Sequence, residues 1–472
     1  MKKSIIYALA SSALVLATGC TDLDVDVKSK YTEYPNESEI ALEAKMSDVY
    51  YAFRTQLGNN YNRTQTFASD EASGISFDGD YYDSAENVNP TVHNFNPENK
   101  PLNYWADLAS GITKCNQFID DLAGDNSKAM QIAQARTMRA FYHFILMDSF
   151  GDVPVLDRVP DENEAVERKP RAEVAAFIEK ELKECLPLLS DKNNAATYGK
   201  PNRWMAEALL VKLYINWGVY TCANVADYDA ATTVNAKLNE CVAMCDDIIK
   251  SNQFNLDDAY RKKFLYNNGA HIKDFIYAMP YDKVSAQGLK YGQYRTFRKV
   301  DGGDSMGYLG GKMNKSCAGI CAMNEEFANL YTLPGDDRND IILGATTYGK
   351  VYIHDPLTGE PTANPYIYKG EQLVLSKKIQ LKDDSETARQ QLDCGATPKG
   401  WSQGYRSLKF YPNPNEYASY ERNQSNDVPI FRYADIILTK AEALLRGAQK
   451  TNDDTPQSLL NQIRSYVHAP QF

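Results

Sequence analysis

The sequence predicts a mainly α-helical protein, in which tetratricopeptide-like helical hairpins form a scaffold and a loop-rich lobe carries a few short strands. Two observations lead to this prediction. Apolar residues recur every three or four positions along much of the chain, which is the period of an α-helix. Two long regions, about 58–100 and 278–426, lack this period and are rich in Gly, Asn, Asp, Pro and Tyr. Loops this long are usually functional or disordered, so we expect function to reside there.

The first element is a signal peptide at residues 1–19. Two lysines precede an apolar stretch at residues 5–17, which is shorter than the roughly 20 residues that span a bilayer. The stretch ends in Leu-Ala-Thr-Gly-Cys, which resembles the lipobox of bacterial lipoproteins. We therefore expect lipidation of Cys20, and residues 20–38 are expected to form an acidic tether. Ordinary cleavage that leaves Cys20 unmodified is the alternative.

The helical scaffold is predicted at about 39–57, 101–275 and 427–472. Gly and Pro residues separate its helices, and Pro170 opens one of them. Small residues alternate with large ones in consecutive helix pairs, as in stacks of tetratricopeptide-like hairpins, although the strict repeat consensus is absent. The apolar stripes, in chain order, are Leu42, Met46, Val49 and Phe53; Ala135, Met138, Tyr142 and Ile145; Val174, Ile178, Leu182 and Cys185; Ala206, Leu210, Leu213, Trp217 and Tyr220; Leu238, Val242, Cys245 and Ile249; Ala434, Leu438, Ala441 and Leu445; and Leu460, Ile463 and Val467.

Short apolar runs in the second loop-rich region predict its strands. Phe275–Met279 lies at the edge of the region, and residues 351–354 and 373–375 lie inside it. We therefore expect this region to fold as a loop-rich lobe with small strands, positioned by the helical scaffold.

The charge balance excludes a nucleic-acid groove. The chain has 51 Lys and Arg against 62 Asp and Glu, a net charge of −11 and a pI of about 5.2, whereas phosphate binding needs clustered cations. Tyrosine is in excess, with 32 Tyr against 17 Phe and 4 Trp. Because the tyrosine ring is apolar and its tip is polar, such residues suit half-hydrated surfaces.

The sequence lacks recognisable catalytic motifs. It has five histidines and no H-E-x-x-H, G-x-S-x-G or Walker motif. Neighbouring acids such as Asp336 and Asp337 do not face each other across a sugar, so they do not predict a glycosidase. His143 lies inside a helical stripe and is expected to be a core residue. No cofactor is expected, while a structural calcium ion stays open because clustered aspartates offer oxygen ligands.

Eight cysteines follow Cys20, and we expect them to pack as small buried hydrophobic residues. A zinc site is disfavoured because none of them forms a C-x-x-C pair and no other metal motif converges on them. One or two disulfides stay open, since their pairing is not readable from the sequence.

Several stretches in register resemble the SusD/RagB family of outer-membrane nutrient-uptake lipoproteins. The most recognisable, ARTMRAFYHFILMDSFGDVP, covers residues 135–154. The others, in chain order, are NYWADLASGITKCNQFIDDL at 103–122, RWMAEALLVKLYINWG at 203–218, Asp337-Arg338, and VPIFRYADIILTKAEALL at 428–445 followed by LNQIRSYV at 460–467. Members of this family usually continue past the last stretch, so whether the C-terminus is truncated stays open.

This resemblance implies a non-catalytic protein, lipid-anchored at the outer membrane and exposed on the cell surface. Such proteins form a lid on a SusC-like TonB-dependent transporter and capture glycans for import. Residues 39–472 would be the family domain, with four tetratricopeptide-like units packed against the transporter. Peptide or glycopeptide cargo is the first alternative. A lipid-anchored glycoside hydrolase and a structural or adhesin lipoprotein are further alternatives.

Aromatic and acidic residues of the two loop-rich regions are the candidates for glycan contact. A pyranose stacks its C–H face on a flat ring, and its hydroxyls bond to amides and carboxylates. The resemblance implies contacts from the loop before the Trp105 helix and from a later variable loop. The alternative is that most of these rings cover the loop core. The candidates are Asp70, Tyr81, Tyr82 and His93 in the first region and Tyr281, Tyr291, Tyr294, Tyr308 and Trp401 in the second.

Overall fold

A computed structural model describes residues 38–98, 102–290, 307–309, 318–413, 416, 420 and 422–472. The chain divides into residues 1–45 and 46–472. Of the first unit, residues 38–45 are described and contribute the start of one helix; the contacts below concern the second. Cys20, Tyr291 and Tyr294 lie outside the described residues, so the functions assigned to them stay predictions.

Helices dominate the described chain. Apart from a π-helix at Leu57–Tyr61 and short 3₁₀ turns, they are α1 Glu39–Tyr50, α2 Arg54–Gln56, α3 Asn62–Ala68, α4 Val88–Thr91, α5 Tyr104–Asp121, α6 Ala129–Phe150, α7 Arg171–Cys185, α8 Arg203–Ile215, α9 Trp217–Thr221, α10 Leu238–Lys250, α11 Glu325–Ala328, α12 Glu386–Gln391, α13 Pro398–Trp401, α14 Tyr433–Leu445 and α15 Pro456–Tyr466.

The long helices pack as a succession of neighbours. Helix α5 contacts α6, α6 contacts α7, α8 contacts α10, α10 contacts α14, and α14 contacts α15. The C-terminal pair therefore completes an array that begins before residue 250. The predicted helical scaffold is confirmed, whereas the tetratricopeptide-like geometry of its hairpins stays a prediction. No helix among the described residues is long and apolar enough to cross a bilayer.

Most of the predicted apolar stripes lie in the core, and the four stripe residues of α7 are fully buried. The stripe predicted for α14 is wrong at two positions, since Leu438 and Leu445 are 38% and 70% exposed. That helix buries Ile436 and Ile437 instead and contacts both α10 and α15, so its buried surface is not a single stripe. The stripe at 206–220 spans two helices, separated at Asn216.

Buried polar contacts join the scaffold helices. Arg139 of α6 donates through Nη2 to Glu181 Oε2 of α7 at 2.5 Å and through Nη1 to Asn116 Oδ1 of α5 at 2.7 Å. At the other end of the array, Asp274 Oδ1 accepts from the backbone N–H of Ala434 at 2.9 Å, in the first turn of α14. Buried charges are tolerated when they are paired and hydrogen-bonded, so these contacts fix the positions of the helices.

His143 is a core residue, as predicted. Its Nδ1–H donates to Arg139 O at 2.8 Å, and Nε2 accepts from the backbone N–H of Leu156 at 3.1 Å. Burial lowers its pKa to about 4, so the ring is neutral near pH 7. The seven described cysteines are free thiols, and all except the half-buried Cys222 are buried, which agrees with the packing role predicted for them.

The named strands of the described residues form two-stranded antiparallel ladders. Phe275–Met279 is confirmed as a strand, and residues 352–354 form another. At 373–375 the prediction is wrong, because the strand precedes this segment and Val374 makes only an isolated bridge to Lys350. The pairs are β1 Ala72–Gly74 with β3 Cys321–Met323, β2 Phe275–Met279 with β10 Val428–Arg432, β4 Ile342–Leu343 with β9 Arg406–Ser407, β5 Tyr352–His354 with β6 Pro361–Pro365, and β7 Ile367–Tyr368 with β8 Glu371–Gln372.

The first loop-rich region begins later than predicted, because residues 58–68 are helical. Gly58 and its two following asparagines resemble a turn in the sequence, yet they lie in the π-helix. A side chain at Gly58 would approach Gly288 O to 2.7 Å, and Lys290 donates its backbone N–H to Gly58 O at 3.1 Å. Glycine is therefore needed here for close backbone packing and not for a turn.

Candidate functional site

The two loop-rich regions fold together into one structure, which we call the lobe (residues 69–98 and 318–413). Strand β1 of the first region pairs with β3 of the second, with Ala72 opposite Met323. Beyond the ladder, Ser76 donates its N–H to Leu392 O at 3.1 Å and accepts from Cys394 N at 3.0 Å. The loops that the sequence separates by more than two hundred residues are thus a single surface.

A lysine links the two parts of the lobe. Lys382 Nζ lies 2.8 Å from Asp78 Oδ1 and 2.9 Å from Asp393 Oδ2. Asp78 Oδ2 also accepts from the backbone N–H of Ala396 at 2.7 Å. The hydrogen bonds from Lys382 and Ala396 stabilise the carboxylate and lower the pKa of Asp78. The bonds to Asp78 and Asp393 stabilise the ammonium group and raise the pKa of Lys382. The loop that carries Tyr81 and Tyr82 is therefore anchored at its start.

The segment at 92–98, which follows α4, presents two parallel rings to solvent. His93 is exposed, and its Nε2–H donates to Ala68 O at 2.9 Å. Phe95, which is 48% exposed, stacks on it with ring centroids 6.2 Å apart and planes inclined by 12°. The tether to Ala68 holds the imidazole in place, so the pair forms a pre-oriented aromatic surface.

Tyr81 and Tyr82 are half-buried. The Tyr81 ring meets Phe77 edge-on at 6.4 Å, and its carbonyl accepts from Asn87 Nδ2 at 3.3 Å. Asp70 is exposed at the start of β1, where its carbonyl accepts from Asn324 Nδ2 at 3.1 Å. The side chains predicted in the first region are therefore at least partly accessible, with their backbone held by hydrogen bonds.

Backbone strain is concentrated beside these residues. Twelve non-glycine residues of the described chain have left-handed φ, and six of them lie in the first part of the lobe. Such conformations cost energy and tend to cluster where a protein positions groups for binding. The six are Asp78, Tyr81, Asp83, Ser84, Ala85 and His93.

Three predicted residues of the second region are buried. Tyr281 is 4% exposed and donates its hydroxyl to Arg54 O at 2.5 Å, Tyr308 is 0% exposed, and Trp401 is 6% exposed. Their rings fill the interior, so the structure does not offer them to a ligand. The expectation of glycan contact fails for these three because sequence cannot separate a buried loop aromatic from an exposed one.

Sequence reasoning missed two exposed aromatic residues. Phe95 stands between two asparagines and ahead of a proline, and Tyr348 stands in the turn-like stretch Thr-Thr-Tyr-Gly-Lys. Tyr348 is 92% exposed. An aromatic residue surrounded by turn formers is a signal that the sequence does contain. No cluster of three metal-ligating side chains occurs within the described ranges.

Comparison with known families matches most of the chain. A family model described as "Starch-binding associating with outer membrane" matches residues 23–215, and one described as "SusD family" matches residues 273–471. The starch-binding protein SusD of Bacteroides thetaiotaomicron is 24% identical over 359 residues, which are 73% of this chain and 61% of that protein. The match thus spans about three fifths of that relative's length.

Solved structures share the fold. A laminarin-binding SusD-like protein superposes with a TM-score of 0.64 at 20% identity, covering 92% of this chain and 85% of that one. Surface glycan-binding protein A from Bacteroides thetaiotaomicron, in complex with laminarihexaose, gives a TM-score of 0.61 at 17% identity, covering 91% and 83%. With the helix order, the lobe and both family matches in agreement, the chain belongs to the SusD/RagB family.

Proposed function

We propose that this chain is a non-catalytic, lipid-anchored protein of the outer membrane that binds glycans with its lobe and delivers them to a SusC-like TonB-dependent transporter. Cys20 would carry the lipid, and the acidic tether would separate the domain from the membrane. Family membership supports this role, since one matching family model is described as starch-binding and outer-membrane associated.

The observation that carries the proposal is the exposed ring pair of His93 and Phe95. Flat rings give the C–H face of a pyranose an apolar partner, and neighbouring carboxylates and amides accept and donate to its hydroxyls. Because His93 is tethered to Ala68 O at 2.9 Å, little conformational entropy is lost when a sugar docks. Tyr81, Tyr82 and Asp70 supply further contacts in the same part of the lobe.

Neutral glucans are the proposed cargo class. The relatives that this chain matches are named for starch, laminarin and laminarihexaose. The first part of the lobe, residues 69–98, contains seven Asp and Glu and no Lys or Arg. An uncharged glucan meets no repulsion there, in contrast to an acidic polysaccharide.

Calorimetry tests the binding role. The probe panel is soluble starch, laminarin and a peptide mixture, titrated into the mature chain with Cys20→Ala, which removes the acyl group. We expect saturable heat with a glucan. We expect Phe95→Ala to weaken that binding about tenfold, equivalent to about 1.4 kcal/mol, because half of the ring pair is lost.

A matched control separates ring stacking from general surface change. Leu188 is 46% exposed on the scaffold, close to the 48% of Phe95, so Leu188→Ala removes similar surface and should leave glucan affinity unchanged. Heat with peptide and with no glycan would overturn the cargo assignment. Sustained release of reducing ends from starch or laminarin would overturn the non-catalytic assignment.

The transporter partnership has its own test. Membranes that contain the wild-type lipoprotein are solubilised in mild detergent, and the lipoprotein is purified by an affinity tag. A large TonB-dependent transporter should co-purify in stoichiometric amount. Recovery of the lipoprotein alone from membranes rich in such transporters would contradict the delivery role while leaving glycan binding intact.

A further inference from the structure

The second part of the lobe carries its own exposed ring, Tyr348, beside a small polar cavity. We infer that Tyr348 and this cavity form a second glycan subsite, in which the ring stacks on a sugar and the cavity takes one exocyclic group. This inference rests on the proposed glycan-binding function and extends it to a second place on the lobe.

The loop around Tyr348 holds the ring out of the protein. Tyr348 has a φ of +53° and is 92% exposed. Gly349 donates its N–H to Gly344 O at 2.9 Å, and Leu375 donates its N–H to Gly349 O at 2.8 Å. A side chain at Gly349 would lie 2.1 Å from Leu375 O, so only glycine allows this close packing. The backbone that carries the ring is therefore held in place, so the Tyr348 side chain leaves the surface at a fixed point while its own torsions stay free to adjust to a sugar.

The cavity adjoins this loop. Its volume is about 30 Å³, and it is lined by Thr347 and Lys350, the residues on either side of the Tyr348–Gly349 turn. A cavity of this volume holds about two water molecules, so a whole pyranose cannot enter. A hydroxyl or hydroxymethyl group fits such a space, which would orient a sugar stacked on the neighbouring ring.

Donors and acceptors of both kinds line the cavity. The lining residues with polar side chains are Asp340, Thr346, Thr347, Lys350 and His354. His354 is 4% exposed, and its Nδ1–H donates to Gly359 O at 3.1 Å, which leaves Nε2 as an acceptor. A site that combines neutral polar groups with one acidic and one basic group suits sugar hydroxyls better than it suits an anion or a cation.

Unsatisfied polar groups lie directly behind this wall. Arg261 donates through Nη2 to Asp340 O, and the His354 ring stacks on Tyr411 at 5.9 Å. Arg261 Nε and Nη1 and the Tyr411 hydroxyl are buried without a hydrogen-bond partner among the described residues. Buried polar atoms of this kind are normally satisfied by water or a ligand. Arg261 and Tyr411 do not line the cavity themselves, so they bear on its polar surroundings and not on a direct sugar contact.

The strand order relates this subsite to the first one. Met323 of β3 bridges Tyr405, and Leu343 of β4 pairs with Arg406 of β9, so β1, β3, β9 and β4 lie side by side. Three strand spacings separate β1 from β4 by about 14 Å. Two subsites on one lobe let a polymer bind at both, which raises its affinity above that of either contact.

Substitutions at the two rings test the inference with laminarin, or with starch if starch is the glucan that binds. We expect Tyr348→Ala to lower polymer affinity about fivefold, Tyr348→Phe to retain it, and Asp340→Asn to lower it about twofold. The combination Tyr348→Ala with Phe95→Ala should multiply the two losses, because the sites are separate. The exposed side chain of Tyr348 makes no core contact, so thermal unfolding should not change.

Leu330 supplies the control, because it is 67% exposed in the same part of the lobe. Leu330→Ala should leave polymer affinity unchanged. The inference is overturned if Tyr348→Ala binds the polymer as the wild type does, if Leu330→Ala weakens binding equally, or if Tyr348→Ala only abolishes co-purification of a transporter. Failure of the wild type to bind any glucan is a different result, which refutes the proposed function itself.

Discussion

The scaffold and the lobe use charged residues in opposite ways. In the scaffold, charges are buried between helices, as Arg139 and Glu181 are, with side chains 5% exposed on each side. In the first part of the lobe, seven acidic residues lie within 30 positions without Lys or Arg, and most of them face solvent. Asp78 and Glu86 are paired with Lys382 and Arg63 from other segments. The scaffold thus uses charge to hold its helices together, whereas this part of the lobe keeps an excess of exposed negative charge. Substitutions in each region should therefore affect different measurements.

The largest expected effect is on scaffold stability. Arg139→Leu removes both hydrogen bonds to Glu181 Oε2 and the bond to Asn116 Oδ1, while Arg136 still donates to Glu181 Oε1. Because one buried carboxylate oxygen loses its partners, we expect the free energy of unfolding to fall by about 3 kcal/mol. Urea unfolding followed by circular dichroism measures it. The control Arg158→Leu breaks an exposed pair, 2.6 Å from Glu164, and should cause no measurable change. Equal losses in the two variants would contradict the contrast between buried and exposed charge.

The next effect is the pH dependence of scaffold stability. Burial raises the pKa of Glu207 in α8 to about 7, although Arg203 Nε donates to it at 2.7 Å. Because the folded-state pKa exceeds the usual value, this group stabilises the fold below about pH 4.5 and loses that contribution as the pH rises to about 7. Across this pH range, the free energy of unfolding of the wild type should fall by about 3 kcal/mol or less relative to that of Glu207→Gln.

Urea unfolding at pH 4.5 and pH 8 gives the comparison directly. If the difference between wild type and Glu207→Gln is the same at both values, the carboxyl does not titrate between them and its buried environment is misassigned. His143 acts in the other direction. Because its pKa is lowered to about 4 in the folded protein, stability falls as the pH drops below the usual pKa of histidine. For this reason the variant must be compared with the wild type at each pH.

The smallest expected effect concerns ligand charge at the lobe. Polygalacturonate should bind at least about tenfold more weakly than laminarin at low salt, since like charges repel across the binding surface. Raising the salt concentration should reduce this difference in affinity, because screening shortens the reach of exposed charges to about 8 Å near 0.15 M. The double variant Asp80→Asn, Asp83→Asn should also reduce the difference in affinity between the two polymers. Unchanged selectivity in both measurements would show that the lobe carboxylates do not face the ligand.

The sequence predicted the scaffold better than the lobe, for a physical reason. A helix such as α7 reports its buried face through a local period, so its stripe was recognised correctly. Helix α14 packs on α15, which follows it in the chain, and on α10, which comes from a distant part of the chain, so its exposed Leu438 and Leu445 could not be identified from the period alone. Local patterns therefore suffice where a helix has one buried face and fail where partners arrive from elsewhere.

In the lobe, exposure depends on pairings that no local pattern encodes. Tyr308 and Trp401 are candidates for ligand contact by residue type, yet both are buried, and the Tyr308 ring packs against His354 and Tyr366 of the same region. His93 and Tyr348 show the opposite, because backbone hydrogen bonds and left-handed φ hold them outward. Residue type and turn context therefore identify candidate aromatic residues, whereas tertiary contacts determine which of them are exposed.

The pairing of β1 with β3 also has a consequence for how the chain folds. Ser73 and Asn324, bonded at 2.7 Å beside this ladder, are 251 positions apart. Helices α5, α6 and α7 make contacts between near neighbours and can form while the chain is still emerging, whereas the ladder must wait for a long loop to close. We expect the lobe to acquire its protected amides last in pulsed hydrogen exchange. Until then the chain would have its scaffold helices but no assembled binding surface.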